Sequence, residues 1–197
     1  MSAPPAPPIL LASRSPQRRA ILEQLGLPFQ VVAPRYEERG APGREPVEVV
    51  REHARAKARS VAAEAGERPV LGVDTEVVCG GSVYGKPADA GEAEAMLEAL
   101  AGKTHEVVSG LCLLTGAWEE LHHDVTRVTF RALTPRDLAA YIASGEWRER
   151  AGAYAIQGRG AALVERIEGD YLNVVGLPAA LLVRLLAARF AGVYGFG

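Results

Sequence analysis

The chain has 197 residues, 48% of them hydrophobic and 23% charged, with a formal net charge of −2. That balance is ordinary for one globular domain, 1–197, able to bury a sizeable core. It excludes a general nucleic-acid binder, which carries a strong basic excess, but leaves room for a small anionic ligand held by a local positive cluster. No membrane span is expected, because the longest late apolar stretch, Ala179 to Val193, is broken by Arg184 and Arg189.

The proline-rich start, residues 1–8, reads as a flexible leader. It has neither a basic n-region nor a long apolar h-region, so it is not a signal peptide. Ile9 to Ala12 is apolar and strand-like. Ser13-Arg14-Ser15-Pro16 then opens a helix, with Ser15 as cap and Pro16 in the first turn. That helix presents Ile21, Leu22 and Leu25 on one face and stops at Gly26, and Phe29 to Val32 makes a second strand. A Gly/Pro/charge-rich loop, Pro34 to Pro46, precedes a helix over Val47 to Ala65 with Ala54, Ala58 and Val61 on one side.

Val70 to Val73 is a buried strand ending in Asp74, continued through Thr75 to Cys79. Gly80-Gly81 turns the chain, and Val83-Tyr84-Gly85 returns toward the same place, followed by Lys86 and Pro87. Asp89 caps a helix through Leu100 that Gly102 ends. Val107 to Thr115 and Val125 to Phe130 read as antiparallel strands joined near Gly116, with His122-His123 in a turn. Thr134-Pro135 opens a helix through Ile142, Gly152 to Gly176 is glycine-rich and strand-like, and a final helix begins at Pro178. Helices alternate with strands, some of them in hairpins. The fold class is therefore α/β, a mixed twisted sheet with flanking helices.

Four places could carry chemistry. The Ser13 to Arg19 helix start offers free backbone N–H groups beside Arg14, Arg18 and Arg19, a phosphate-binding arrangement without the glycine pattern of a Walker loop. Glu37-Glu38 lies in the long loop, and Lys57 on a charged helix reads by default as a surface residue. Asp74 follows a run too apolar to bury it without a partner or a metal, and with Lys86 supplies the parts for holding a metal ion and a phosphate. Gln157, flanked by glycine, presents a donor and an acceptor suited to a nucleobase edge. The histidines show no zinc spacing, with His53 and His105 standing alone. Cys79 and Cys112 read as core residues with no metal-ligand spacing, which points to a reduced, cytoplasmic setting.

In order along the chain stand Leu11-Ala12-Ser13-Arg14-Ser15-Pro16-Gln17-Arg18-Arg19, Gly72-Val73-Asp74-Thr75, Gly85-Lys86-Pro87 and Gly102-Lys103-Thr104-His105-Glu106-Val107. Ala151 to Gly158, Glu168-Gly169-Asp170-Tyr171 and Val175-Gly176-Leu177-Pro178 complete the series. Together they resemble the Maf family of nucleoside triphosphate pyrophosphatases, from Leu10 to about Leu186.

The resemblance implies two lobes around a central cleft, as in the inosine triphosphate pyrophosphatases. It also implies hydrolysis of a nucleoside triphosphate to the monophosphate and pyrophosphate with a divalent cation, Mg2+, Mn2+ or Co2+. By position it makes Asp74 and Lys86 catalytic, and Ser13, Arg18, Lys57 and Lys86 phosphate-binding. Asp74 and Glu38 become the metal ligands. Gln17, Thr75 and Gln157 fall at substrate-specificity positions of the dTTP/UTP branch, where Gln17 stands in place of the usual Arg. A homodimer is likewise implied. A 7-methyl-GTP or broader modified-nucleotide pyrophosphatase, and a non-catalytic nucleotide sensor linked to division control, are the alternatives.

Overall fold

The structure, a computed structural model, describes residues 6–38 and 43–196. Strand β1 (Ile9–Ala12) leads into helix α1 (Pro16–Gln24) and strand β2 (Phe29–Val32). Helix α2 (Pro46–Val61) runs into a 3-10 turn at Ala62–Glu64 and is followed by β3 (Val70–Cys79) and β4 (Ser82–Tyr84). Helix α3 (Ala90–Leu100) precedes the long strands β5 (Thr104–Leu114) and β6 (Glu119–Phe130). Then come α4 (Pro135–Ser144), 3-10 turns at Ala151–Ala153 and Gly158–Leu163, β7 (Val164–Glu168), α5 (Tyr171–Val175) and α6 (Ala179–Phe190).

The seven strands form one mixed sheet in the order β2-β1-β3-β5-β6-β7, with β4 paired to β3. β1 runs parallel to both β2 and β3, whereas β4 is antiparallel to β3 and β7 to β6. The chain forms two compact units. One contains residues up to Asp74, Ser109–Asp124 and the chain from Gly176; the other contains Thr75–Val108 and Val125–Val175.

In the first unit every residue of β1 is buried, as expected of a parallel strand covered on both faces. Leu10, Ala12, Val70, Cys112 and Leu114 form its core with Ala54, Ala58 and Val61 of α2. In the second unit Met96, Leu97 and Leu100 of α3 pack with Val77, Val107, Val128, Phe130, Leu138, Tyr141 and Trp147. The expected caps form. Ser15 caps α1, Asp89 caps α3, and Thr134 makes a capping box with Asp137 at α4.

Two expectations are corrected. His122 and His123 lie inside β6, because the hairpin closes earlier, where the Thr115 N–H donates to the Trp118 carbonyl at 2.9 Å. Residues 152–176 are mostly not extended; only Val164–Glu168 is strand. Gly152, Gly158, Gly169 and Gly176, at positive φ, break the rest into short turns and helices. Residues 1–5 of the expected leader lie outside the described residues, and the Pro7 carbonyl accepts a hydrogen bond from the Tyr194 hydroxyl at 2.8 Å. Cys112 is buried and Cys79 half-buried, and neither is in a disulfide. Among the described residues no helix is long and apolar enough to cross a membrane.

Candidate active site

The first unit assembles its polar groups where β1 ends and around Asp74, midway along β3. After Ala12 the chain turns at Ser13, a buried residue whose Oγ accepts from the Ser15 N–H at 3.1 Å and from Arg18 Nη1 at 3.3 Å. Arg18 Nε donates to the Gly176 carbonyl at 2.8 Å, so the guanidinium is fixed at two points. Burial lowers its pKa from the usual arginine value, against the opposing pull of Asp74 and Glu38. The Ser15 hydroxyl, besides capping α1, donates to Gln17 Oε1 at 3.1 Å. Of the other arginines here, Arg14 is exposed and Arg19 pairs with Glu23 at 2.8 Å.

Helix α2 contributes the groups that face Asp74, and two glycines set how close it lies. A Cβ on Gly72 of β3 would stand 2.2 Å from the Ala54 carbonyl oxygen, and one on Gly110 of β5 would stand 2.1 Å from that of Val50. Only glycine permits the helix backbone to rest directly on the strands at these points. His53 and Lys57, four residues apart and therefore on one face of α2, then reach Asp74 midway along β3.

Lys57 is buried, not on the surface as a charged helix suggests. Its ammonium lies 2.6 Å from Asp74 Oδ1 and 2.5 Å from Glu38 Oε1, and donates to the Val73 carbonyl at 3.4 Å. Those three acceptors account for its three hydrogens. His53 Nδ1 hydrogen-bonds Asp74 Oδ2 at 3.2 Å, so both oxygens of the Asp74 carboxylate are engaged. Burial pushes the Asp74 pKa up, but the His53 bond, Lys57 and Arg18 outweigh it and hold the group at about 2. His53 is shifted up, chiefly by its bond to Asp74.

The second unit carries the other three predicted residues. Thr75 is half-buried on β3. The antiparallel register pairs Val77 with Tyr84 and Cys79 with Ser82. Lys86 is exposed, and its Nζ pairs with Glu149 Oε2 at 3.0 Å rather than with Asp74. Gln157 is exposed at the start of a 3-10 turn, and the Glu146 carboxylate fixes that turn by accepting from the Arg159 and Gly160 N–H groups at 3.1 and 3.2 Å.

A family model described as Maf-like protein matches residues 8–189. The chain belongs to the Maf family. Among its relatives, a protein of Deinococcus radiodurans named dTTP/UTP pyrophosphatase is 46% identical over 197 residues, the whole of both chains. Proteins of the same name match from Nitratidesulfovibrio vulgaris, at 49% identity over 94% of this chain and 90% of the relative, and from Moorella thermoacetica, at 48% over 95% and 97%.

In this Maf chain, Glu38, His53 and Asp74 each offer a ligand atom within 4.8 Å of one another. Two carboxylates and an imidazole suit a divalent cation. The Lys57 ammonium already bridges Glu38 and Asp74, which marks where their negative charge converges. His53 is the site residue that the sequence reading leaves aside as a solitary histidine. The signal was its four-residue spacing from Lys57, next to the apolar stripe Val50, Ala54, Ala58.

Proposed function

We propose that this Maf chain is a nucleoside triphosphate pyrophosphatase that hydrolyses dTTP and UTP to the monophosphate and pyrophosphate with the aid of a divalent cation. The observation that carries the reading is Asp74: a buried carboxylate kept ionised by Lys57, His53 and Arg18, beside a capped helix start that holds Ser13 and Arg18. The names of the relatives support the same activity. Glu38 and Asp74 would hold the cation, which when bound offsets the negative charge of the triphosphate.

In this reading Asp74 accepts a hydrogen bond from a water and aims it at the α-phosphorus. With a pKa of about 2 it suits orienting that water more than keeping its proton, which goes on to solvent. The new O–P bond forms as the bond from the α-phosphorus to the bridging oxygen breaks, and pyrophosphate leaves. Ser13, Arg18, Lys57 and Lys86 bind the phosphates, while Gln17, Thr75 and Gln157 select the base. A cytoplasmic homodimer belongs to the same proposal; the free cysteines support a reducing compartment.

Hydrolysis in heavy-oxygen water tests the chemistry. Label is expected in the nucleoside monophosphate, and label in pyrophosphate would remove attack at the α-phosphorus. A panel of nucleoside triphosphates that includes 7-methyl-GTP, scored for pyrophosphate release, tests the substrate. Preference for the methylated purine would overturn the pyrimidine assignment. Asp74→Asn is expected to lower turnover by several orders of magnitude while circular dichroism stays native.

A further inference from the structure

We propose that His53 is a third protein ligand of the divalent cation and that it biases the site toward Mn2+ and Co2+ over Mg2+. The inference rests on the metal-dependent reading above and adds a residue to it. His53 is 7% exposed, carried on a helix seated against glycine, so its ring is presented by a rigid element. Its Nδ1 is already 3.2 Å from Asp74 Oδ2, and the Tyr36 ring stands beside it, centroid to centroid 5.8 Å. One ligand atom from each of Glu38, His53 and Asp74 lies within 4.8 Å of the others. Two ligands on opposite sides of one ion bound at about 2.1 Å are ~4.2 Å apart, so the three groups need only a slight closure to share a cation.

The division of labour among the atoms fits. Lys57 takes Asp74 Oδ1 and Glu38 Oε1, which leaves Asp74 Oδ2 and the His53 nitrogen facing one another. Ligation through Nδ1 uses the tautomer with its hydrogen on Nε2, so the hydrogen bond to Asp74 is exchanged for a bond to the cation. A nitrogen donor strengthens binding of transition ions in the order Mn2+ below Co2+. Mg2+ favours oxygen ligands and retained water, and gains little from it. A site of carboxylates alone would lack that bias.

Pulsed electron paramagnetic resonance of Mn2+ bound to the full-length protein tests this directly. Nitrogen coupling from a bound imidazole is expected in the wild type and is lost in His53→Gln. The variant should bind Mn2+ about tenfold more weakly while Mg2+ affinity, from competition, changes less than about threefold. Mn2+ bound to the wild type without nitrogen coupling, or no Mn2+ binding at all, overturns the inference. So does a variant whose Mn2+ to Mg2+ preference is unchanged. The wild-type spectrum decides even if His53→Gln fails to fold. Hydrolysis that depends on metal, but with no nitrogen coupling, removes His53 and keeps the pyrophosphatase reading. Full hydrolysis in excess chelator removes both His53 as a ligand and the role of the cation, and keeps the pyrophosphatase activity.

Discussion

Lys57 Nζ lies 2.6 Å from Asp74 Oδ1, and both side chains are buried, at 5% exposure each. Two opposite charges taken out of water are interdependent, because either alone keeps its desolvation cost without its Coulomb partner. Lys57→Met is therefore expected to lose about 3 kcal/mol of stability at neutral pH in urea unfolding, as for other broken buried pairs. Lys57→Met combined with Asp74→Asn should recover part of that loss. A single variant as stable as the wild type would mean that His53 and Arg18 suffice for Asp74.

The pH dependence of stability at this site has two limbs of opposite sign. The Asp74 pKa is depressed from 3.8 to about 2 on folding, so its contribution is full above 3.8 and disappears as pH falls through about 2. That amounts to about 2 kcal/mol from the linkage relation. His53 is raised above 6.5, so its contribution is full below 6.5 and is lost as pH rises through the folded value. Unfolding free energies from pH 2 to 9 should show both, and Asp74→Asn should flatten both, since Asp74 is the main cause of the His53 shift.

A separate acid limb is expected from the second unit. His105 is 1% exposed, hydrogen-bonded through Nε2 to the Tyr154 hydroxyl at 2.9 Å and edge-on to Phe130. Its Nδ1 has no hydrogen-bond partner among the described residues. Burial lowers its pKa to about 4, so the folded chain resists the proton that the unfolded chain accepts. Stability should fall by about 3 kcal/mol as pH drops from 6.5 to about 4. In melting curves across that range His105→Leu should lack this slope, even if it starts lower at pH 7 for want of the Tyr154 bond.

Gly72→Ala tests how the site is assembled without touching a polar group. The added methyl would stand 2.2 Å from the Ala54 carbonyl, so α2 must move away from β3 and carry His53 and Lys57 with it. The expected cost is at least ~1–3 kcal/mol, the usual range for overpacking. Turnover should fall about a hundredfold, as for misplacement of the order of 1 Å. Gly116→Ala, with nothing within 4 Å of the new methyl, is the control and should change neither. Wild-type turnover in Gly72→Ala would show that the approach of α2 does not set the site.

Selectivity should respond at Gln157. Gln157→Ala is expected to lower kcat/KM for dTTP and UTP about tenfold, the loss of one good hydrogen bond to the base. Purine nucleotides, which present a different edge, should be less affected. An equal loss for every nucleotide would make Gln157 a general binding residue instead of a reader of the base.

Asp74 was legible in the sequence because a carboxylate at the end of Val70-Leu71-Gly72-Val73 is costly to bury alone. The capped starts of α1, α3 and α4 were legible because Ser15, Asp89 and Thr134 act on N–H groups only three residues away. Short range is what these features share. The start of β6 and the glycine-broken stretch 152–176 were misplaced, since extended and turning backbone compete there on small differences that packing decides.

The amino-acid sequence by itself determined the α/β class, the family, most of the elements and the buried acid of β3. Only the tertiary structure decided what that acid touches. Lys57 reads as one more charge on a charged helix and His53 as a stray histidine until Gly72 and Gly110 let α2 settle on β3 and β5. The pairs Lys57–Asp74 and His53–Asp74 span 17 and 21 residues. Contacts that distant depend on helix-to-strand separation, a property of close packing that no local pattern encodes.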